Sequence, residues 1–141
     1  MKLVASSLCF FLPLRSSPCH STTRLLGSVA GPVYTSENGG PVVTLFTKQG
    51  CTLCDTAKET LHSMVAQYPH SLTQVDITED RHWWDRYKYD IPVLHLDGRY
   101  WAKHRLSVEE ATEGFEAHAQ GTFVSPPGEP NAAAMERRRK G

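Results

Sequence analysis

The feature that most constrains this chain is a change of hydrophobic period across one short loop. VVTLF (Val42 to Phe46) is a β-branched and apolar run of the kind found in a buried strand. Beyond the loop TKQG, Leu53, Ala57, Leu61, Met64 and Val65 recur at helical spacing. They predict an amphipathic helix from about Thr52 to Gln67, ending before Pro69. LTQVDI (Leu72 to Ile77) then reads as a second strand with Thr73, Val75 and Ile77 on one face. Strand, helix and strand in this order predict a parallel pair joined by a crossover.

The pattern continues toward the C-terminus. Thr78 is placed to cap a short helix through EDRHWWDRYK. PVLHL and RYWA flank Asp97 and Gly98, a two-residue turn whose positive backbone angles suit an antiparallel hairpin. Ser107 and Glu110 have capping-box spacing, with Leu106 and Ala111 at staple positions around them. Val108, Ala111 and Phe115 supply the buried stripe of that last helix, and Gly114 weakens it by about 1 kcal/mol relative to Ala. The order is β-α-β-α-β-β-α, an α/β domain with a mixed four-stranded sheet flanked by helices.

Both ends differ in kind from this middle. The chain has 141 residues, and in its first 36 the only charges are Lys2, Arg15 and Arg24. That composition suits a mitochondrial transit peptide. A secretory signal built on LVASSLCFFLPL is the rival, but the cleavage-like SVA (Ser28 to Ala30) lies far beyond the apolar run. An extension carrying no address, on a cytoplasmic protein, is the plain alternative. Residues 1–40 are therefore set aside as disordered leader and linker, 41–119 form the domain, and 120–141, with SPPGEPN and ERRRK, read as a disordered tail. The domain alone carries 12 acidic and 8 basic residues, so nothing in it argues for nucleic acid. No apolar run of about 18 residues is present to span a bilayer.

With the leader set aside, Cys9 and Cys19 go with it and Cys51 and Cys54 remain. The pair admits three readings: a redox couple, half of a metal site, or two small buried hydrophobes. Zinc needs two further ligands, and no second C-x-x-C or H-x-x-x-H accompanies this one. Cys51 falls where the predicted helix begins, beside unpaired backbone N–H groups and the positive end of the macrodipole. That position favours a thiolate, the reactive form of cysteine. Cys54, one turn deeper, can attack a mixed disulfide formed at Cys51. Lys48 adds positive potential from the loop.

A strand, then K-x-x-C-x-x-C opening a helix, then an Ile-Pro dipeptide beginning a hairpin strand, resembles the glutaredoxin-like branch of the thioredoxin fold. The resemblance covers about Pro41 to Ala119. It implies a thiol–disulfide oxidoreductase that reduces protein or glutathione mixed disulfides, acting as a monomer with no bound cofactor and with glutathione as reductant. By the motif match, Cys51 is the nucleophile and Cys54 the resolving thiol. Ile91 and Pro92 form the cis-proline element, and Lys48 meets a glutathione carboxylate. The alternative functions are a non-catalytic binding module and a carrier of an iron–sulfur cluster shared between two chains. The sequence departs from the family pattern in two places: CTLC stands where C-P-Y-C is usual, and WAKHRLSVEE stands where a Gly-Gly pair and an acid cradle the glutathione backbone. Lys103 and Arg105 are expected at the solvated surface, with substitute carboxylate contacts there as the other reading.

Three further features carry less. Trp83, Trp84, Tyr87 and Tyr89 resemble a stacking platform, but on a short helix before a strand they are expected to flank a core. The seven histidines are scattered and are expected at the solvated surface. RRRK near the C-terminus reads as a solvated charge run, with a nuclear or nucleic-acid address as the alternative.

Overall fold

The computed structural model describes residues 29–141, so Cys9, Cys19 and the leader lie outside the described residues. The strands are β1 (Gly31–Tyr34), β2 (Val42–Thr47), β3 (Ser71–Asp76), β4 (Val93–Leu96) and β5 (Arg99–Lys103). The helices are α1 (Thr52–Met64), α2 (Arg81–Tyr87), α3 (Val108–Ala119) and α4 (Ala132–Lys140). The sheet runs β1-β3-β2-β4-β5. β2 and β3 are parallel across the α1 crossover, and the other neighbouring strands pair antiparallel. This is the expected thioredoxin-like α/β architecture with one strand more. Among the described residues no helix is long and apolar enough to cross a membrane.

The extra strand corrects the four-stranded expectation. GPVY reads as linker because Gly and Pro punctuate it, yet an outermost strand tolerates a residue with no N–H to give. β1 takes that edge against β3, with a register shift between Pro32 and Tyr34. Tyr34 anchors it: its side chain packs on the core, and its hydroxyl lies 2.6 Å from Nε2 of the buried His70.

Alternation along the strands divides the core between the two faces of the sheet. Val43 and Leu45 of β2, with Leu94 and Leu96 of β4, meet Cys54, Leu61 and Met64 of α1 and Phe115 of α3. Phe46 and Val93, one residue out of phase, meet Ile77, Tyr87 and Tyr100 on the other face. Covered on both faces, VLHL is buried at every position, and this takes His95 into the interior. His70 is buried as well, so two of the histidines depart from the surface expectation. In both cases a neighbouring tyrosine hydroxyl partners the ring.

Local chemistry sets the ends of the elements. Asp97 (φ 48°) and Gly98 (φ 76°) make the expected tight turn between β4 and β5. Ser107 and Glu110 close the capping box in both directions at 3.1 and 3.0 Å. The α2 cap is Asp80, which accepts from the His82 amide at 2.8 Å. Thr78 instead bonds Asp76 through its amide (2.9 Å) and hydroxyl (2.6 Å). On α3 the buried residues are Ala111, Gly114 and Phe115, whereas Val108 is 51% exposed.

The segment read as a disordered tail packs back on the domain. Phe123 is buried in the α1/α3-side core beneath the Arg99 guanidinium, which donates to the Phe123 carbonyl at 2.8 Å. Glu129 accepts from Tyr87 (2.7 Å) and Arg86 (2.8 Å), and Glu136 of α4 accepts from Tyr89 (2.7 Å) and pairs with Lys88 (2.8 Å). Composition undercounts such a segment because it needs no core of its own. A few polar and aromatic contacts to an already folded surface order it.

Candidate functional site

β2 delivers the chain to one end of the sheet at the buried Thr47, and the exposed residues Lys48, Gln49 and Gly50 turn it into α1. Gly50 has φ 76°, a left-handed value that glycine adopts without cost. Cys51 is then the N-cap of α1, with extended backbone angles (φ −87°, ψ 98°). Its Sγ accepts from the Cys54 amide at 3.2 Å, and its carbonyl accepts the first helical bond from the Asp55 amide at 3.2 Å. A sulfur thus takes the place that a Ser or Asp oxygen usually fills at a helix start.

Cys51 and Cys54 are joined in a disulfide, their Cα atoms 5.2 Å apart. The two sulfurs differ in access. Cys54 is 0% exposed within the α1/α3-side core, while Cys51 is half-buried at its edge. Between them Leu53 points outward, 44% exposed. A partner arriving from solvent therefore reaches Cys51 first.

The Ile91–Pro92 peptide bond is cis. The register Phe46↔Val93 extends to place Pro92 beside Thr47, the residue from which the cysteine loop departs. The Pro92 carbonyl accepts from the His104 amide at 2.8 Å, which draws the turn after β5 to the same end. Ile91 packs against both core clusters, sharing the first with Cys51. Of the residues singled out in the sequence, Cys51, Cys54, Ile91 and Pro92 thus gather at one end of the sheet, and Lys48 is exposed on the loop there.

Lys103 is otherwise engaged. Its ammonium lies 3.3 Å from Asp90 Oδ1, and His104 Nε2 lies 3.0 Å from the same oxygen. Arg105 is exposed and, among the described residues, its side chain has no partner. A groove of about 370 Å³ runs between Leu53, Thr56 and Ala57 of α1 and the turn from His104 to Ser107. Among the described residues no three His, Cys, Asp or Glu side chains gather where they could hold a metal ion.

The chain matches a family model described as Glutaredoxin-like domain (DUF836) over residues 42–115. It belongs to the glutaredoxin-like family. A curated relative, a glutaredoxin-like protein of Dictyostelium discoideum, is 30% identical over 74 residues, which span 48% of this chain and 68% of the relative. Within this glutaredoxin-like domain the two departures from the family pattern have visible structural counterparts. CTLC opens α1 with Thr52 in the first helical position, directly after Cys51 as N-cap. Where the family pattern has two glycines, the backbone still turns through a left-handed residue, His104 at φ 65°. The Asp90 hydrogen bond holds that imidazole.

Sequence reasoning missed a second polar cluster, on the α2 side of the sheet. The Tyr87 hydroxyl lies 3.0 Å from His95 Nε2 and donates to Glu129 at 2.7 Å. Burial pushes the Tyr87 hydroxyl pKa well up, with the Glu129 hydrogen bond adding to it, and burial lowers the His95 imidazole. His70 is lowered by burial too, and Tyr34 is pushed up to about 12 by the same cause. The available signal was positional: a histidine alternating with three apolar residues in a central strand has no solvent to reach.

Proposed function

We propose that this glutaredoxin-like protein catalyses thiol–disulfide exchange through the Cys51–Cys54 pair. The observation that carries the reading is the Cys51 N-cap: its sulfur accepts a helix amide and is paired with a fully buried Cys54, while Cys51 itself is only half-buried. In the reduced protein the same amide and the helix N-terminus favour the Cys51 thiolate. That thiolate attacks one sulfur of a substrate disulfide, forming a Cys51 mixed disulfide and releasing the other sulfur as a thiolate. Cys54, once deprotonated, attacks the Cys51 sulfur, releases the second substrate thiolate and forms the intramolecular disulfide. Two electrons pass from the dithiol to the substrate, and a thiol, with glutathione as the candidate, returns them to the protein. The substrates are protein or glutathione mixed disulfides, and the basic, Ser-rich leader suits delivery to the mitochondrion.

The test is a single turnover with pre-reduced protein and a small uncharged mixed disulfide, followed by acid quench and mass analysis. The expected products are two substrate thiols and the Cys51–Cys54 disulfide, with no consumption by Cys51→Ser. Equal consumption by Cys51→Ser and wild type overturns the reading.

A further inference from the structure

We infer that the face around Cys51 selects polypeptide disulfides whose neighbouring residues are acidic. The inference deepens the thiol-exchange reading and rests on it. Its basis is the distribution of unpaired charge. Residues 41–119 carry 8 basic side chains. Lys58, Arg81, Arg86, Lys88 and Lys103 each pair with a carboxylate, and Arg99 donates to the Phe123 carbonyl. Lys48 and Arg105 are left, both exposed and, among the described residues, without a side-chain partner.

Both remaining cations lie at the cysteine end of the sheet. Lys48 sits on the loop that leads into Cys51. Arg105 lines the groove beside Leu53, the residue between the two cysteines. Acids that could neutralise this face are occupied: Asp55 by Lys58, Asp90 by Lys103 and His104, and Glu110 by the Ser107 amide. Glu109, on the first turn of α3, and the exposed Glu79, in the turn after β3, are the exceptions. Within residues 41–119, where acids exceed bases, the free positive charge therefore lies where a disulfide must approach; Arg137, Arg138, Arg139 and Lys140 of α4 stand outside that count.

The groove adds length to the contact. Its size is within the range of ligand clefts, and its wall includes the exposed Leu53 and the buried Ala57 and Leu106. The two cations stand on separate segments, one before α1 and one after β5. A polypeptide laid across Cys51 meets an apolar wall and either cation, whereas a minimal disulfide meets only the sulfur. Acidic flanking residues complement this face, and basic ones are repelled from it.

The experiment uses three peptides of equal length, each with one cysteine held as a mixed disulfide with 2-mercaptoethanol and flanked by Glu, Gln or Lys. Pre-reduced protein is mixed with each peptide in turn, and formation of the Cys51–Cys54 disulfide is timed by acid quench and mass. At low ionic strength the Glu peptide is expected to react about 3- to 10-fold faster than the Gln peptide, and the Lys peptide slowest. The preference should shrink as salt is raised and fall toward unity in Arg105→Gln. Comparing peptides within one variant cancels any change in the cysteines themselves. Equal rates for all three peptides overturn this inference and leave thiol exchange standing. A preference that survives in the Lys48→Gln/Arg105→Gln double variant overturns its assignment to these cations. Failure of every peptide to oxidise the wild-type protein overturns thiol exchange and this inference together.

Discussion

Gly114 shows how one residue changes meaning between sequence and structure. Read along the chain it is a weak point in a helix, and replacing it with Ala should help by about 1 kcal/mol. In the fold it faces Trp101, and a Cβ at Gly114 would lie 2.6 Å from ring carbons of the indole. Both residues are buried, so the ring has little room to give way. Overpacking of this kind costs about 1–3 kcal/mol, which exceeds the helical gain. Gly114→Ala is therefore expected to lower the stability read from urea unfolding by about 1 kcal/mol. The buried histidines supply a second residue-scale prediction. Burial holds the His70 and His95 imidazoles below the ordinary value of 6.5. The unfolded chain then binds more protons than the folded one as pH falls through 6.5, so stability is full above that value and declines below it. The urea midpoint is expected to drop between about pH 7.5 and pH 5, and to drop less in His70→Gln. A midpoint independent of pH over this interval contradicts the burial account.

At the scale of elements, legibility followed periodicity. β2, α1, the β4–β5 hairpin and the α3 capping box were readable because each carries its own local signal: a buried-strand run, a helical stripe, an Asp-Gly turn, a Ser-x-x-Glu spacing. β1 and α4 were not, since their order comes from what they touch. Four residues with Gly and Pro become a strand only when β3 offers an edge and His70 a hydroxyl's partner. α4 has no apolar stripe. It is held by Glu136 on Lys88 and Tyr89, and by a lead-in segment that buries Phe123. These contacts yield a prediction that composition alone would not make. Phe123→Ala should cost about 3 kcal/mol, visible as a lowered urea midpoint. A tail that stays off the domain would leave the midpoint unchanged.

For the molecule as a whole, one end of the sheet gathers residues that are far apart in sequence. The parallel β2–β3 pair sends the chain out at that end into α1, and antiparallel β4 enters there through Ile91–Pro92. β5 leaves by the same end into the capped start of α3. The cysteines and the Ile-Pro element could be recognised as motifs in one dimension. The Arg105 groove and the occupied state of Lys103 could not, because both depend on which carboxylates the fold brings close. In the proposed exchange Cys51 attacks and Cys54 resolves. Cys54→Ser removes the resolving sulfur and leaves the N-cap sulfur in place, so reduced Cys54→Ser protein mixed with a substrate disulfide should accumulate a one-to-one mixed disulfide. Peptide mapping by mass is predicted to place that adduct on Cys51, with no comparable adduct in Cys51→Ser and none persisting in the wild type. An adduct that accumulates on Cys54 in Cys51→Ser, while Cys54→Ser stays unmodified, would contradict it.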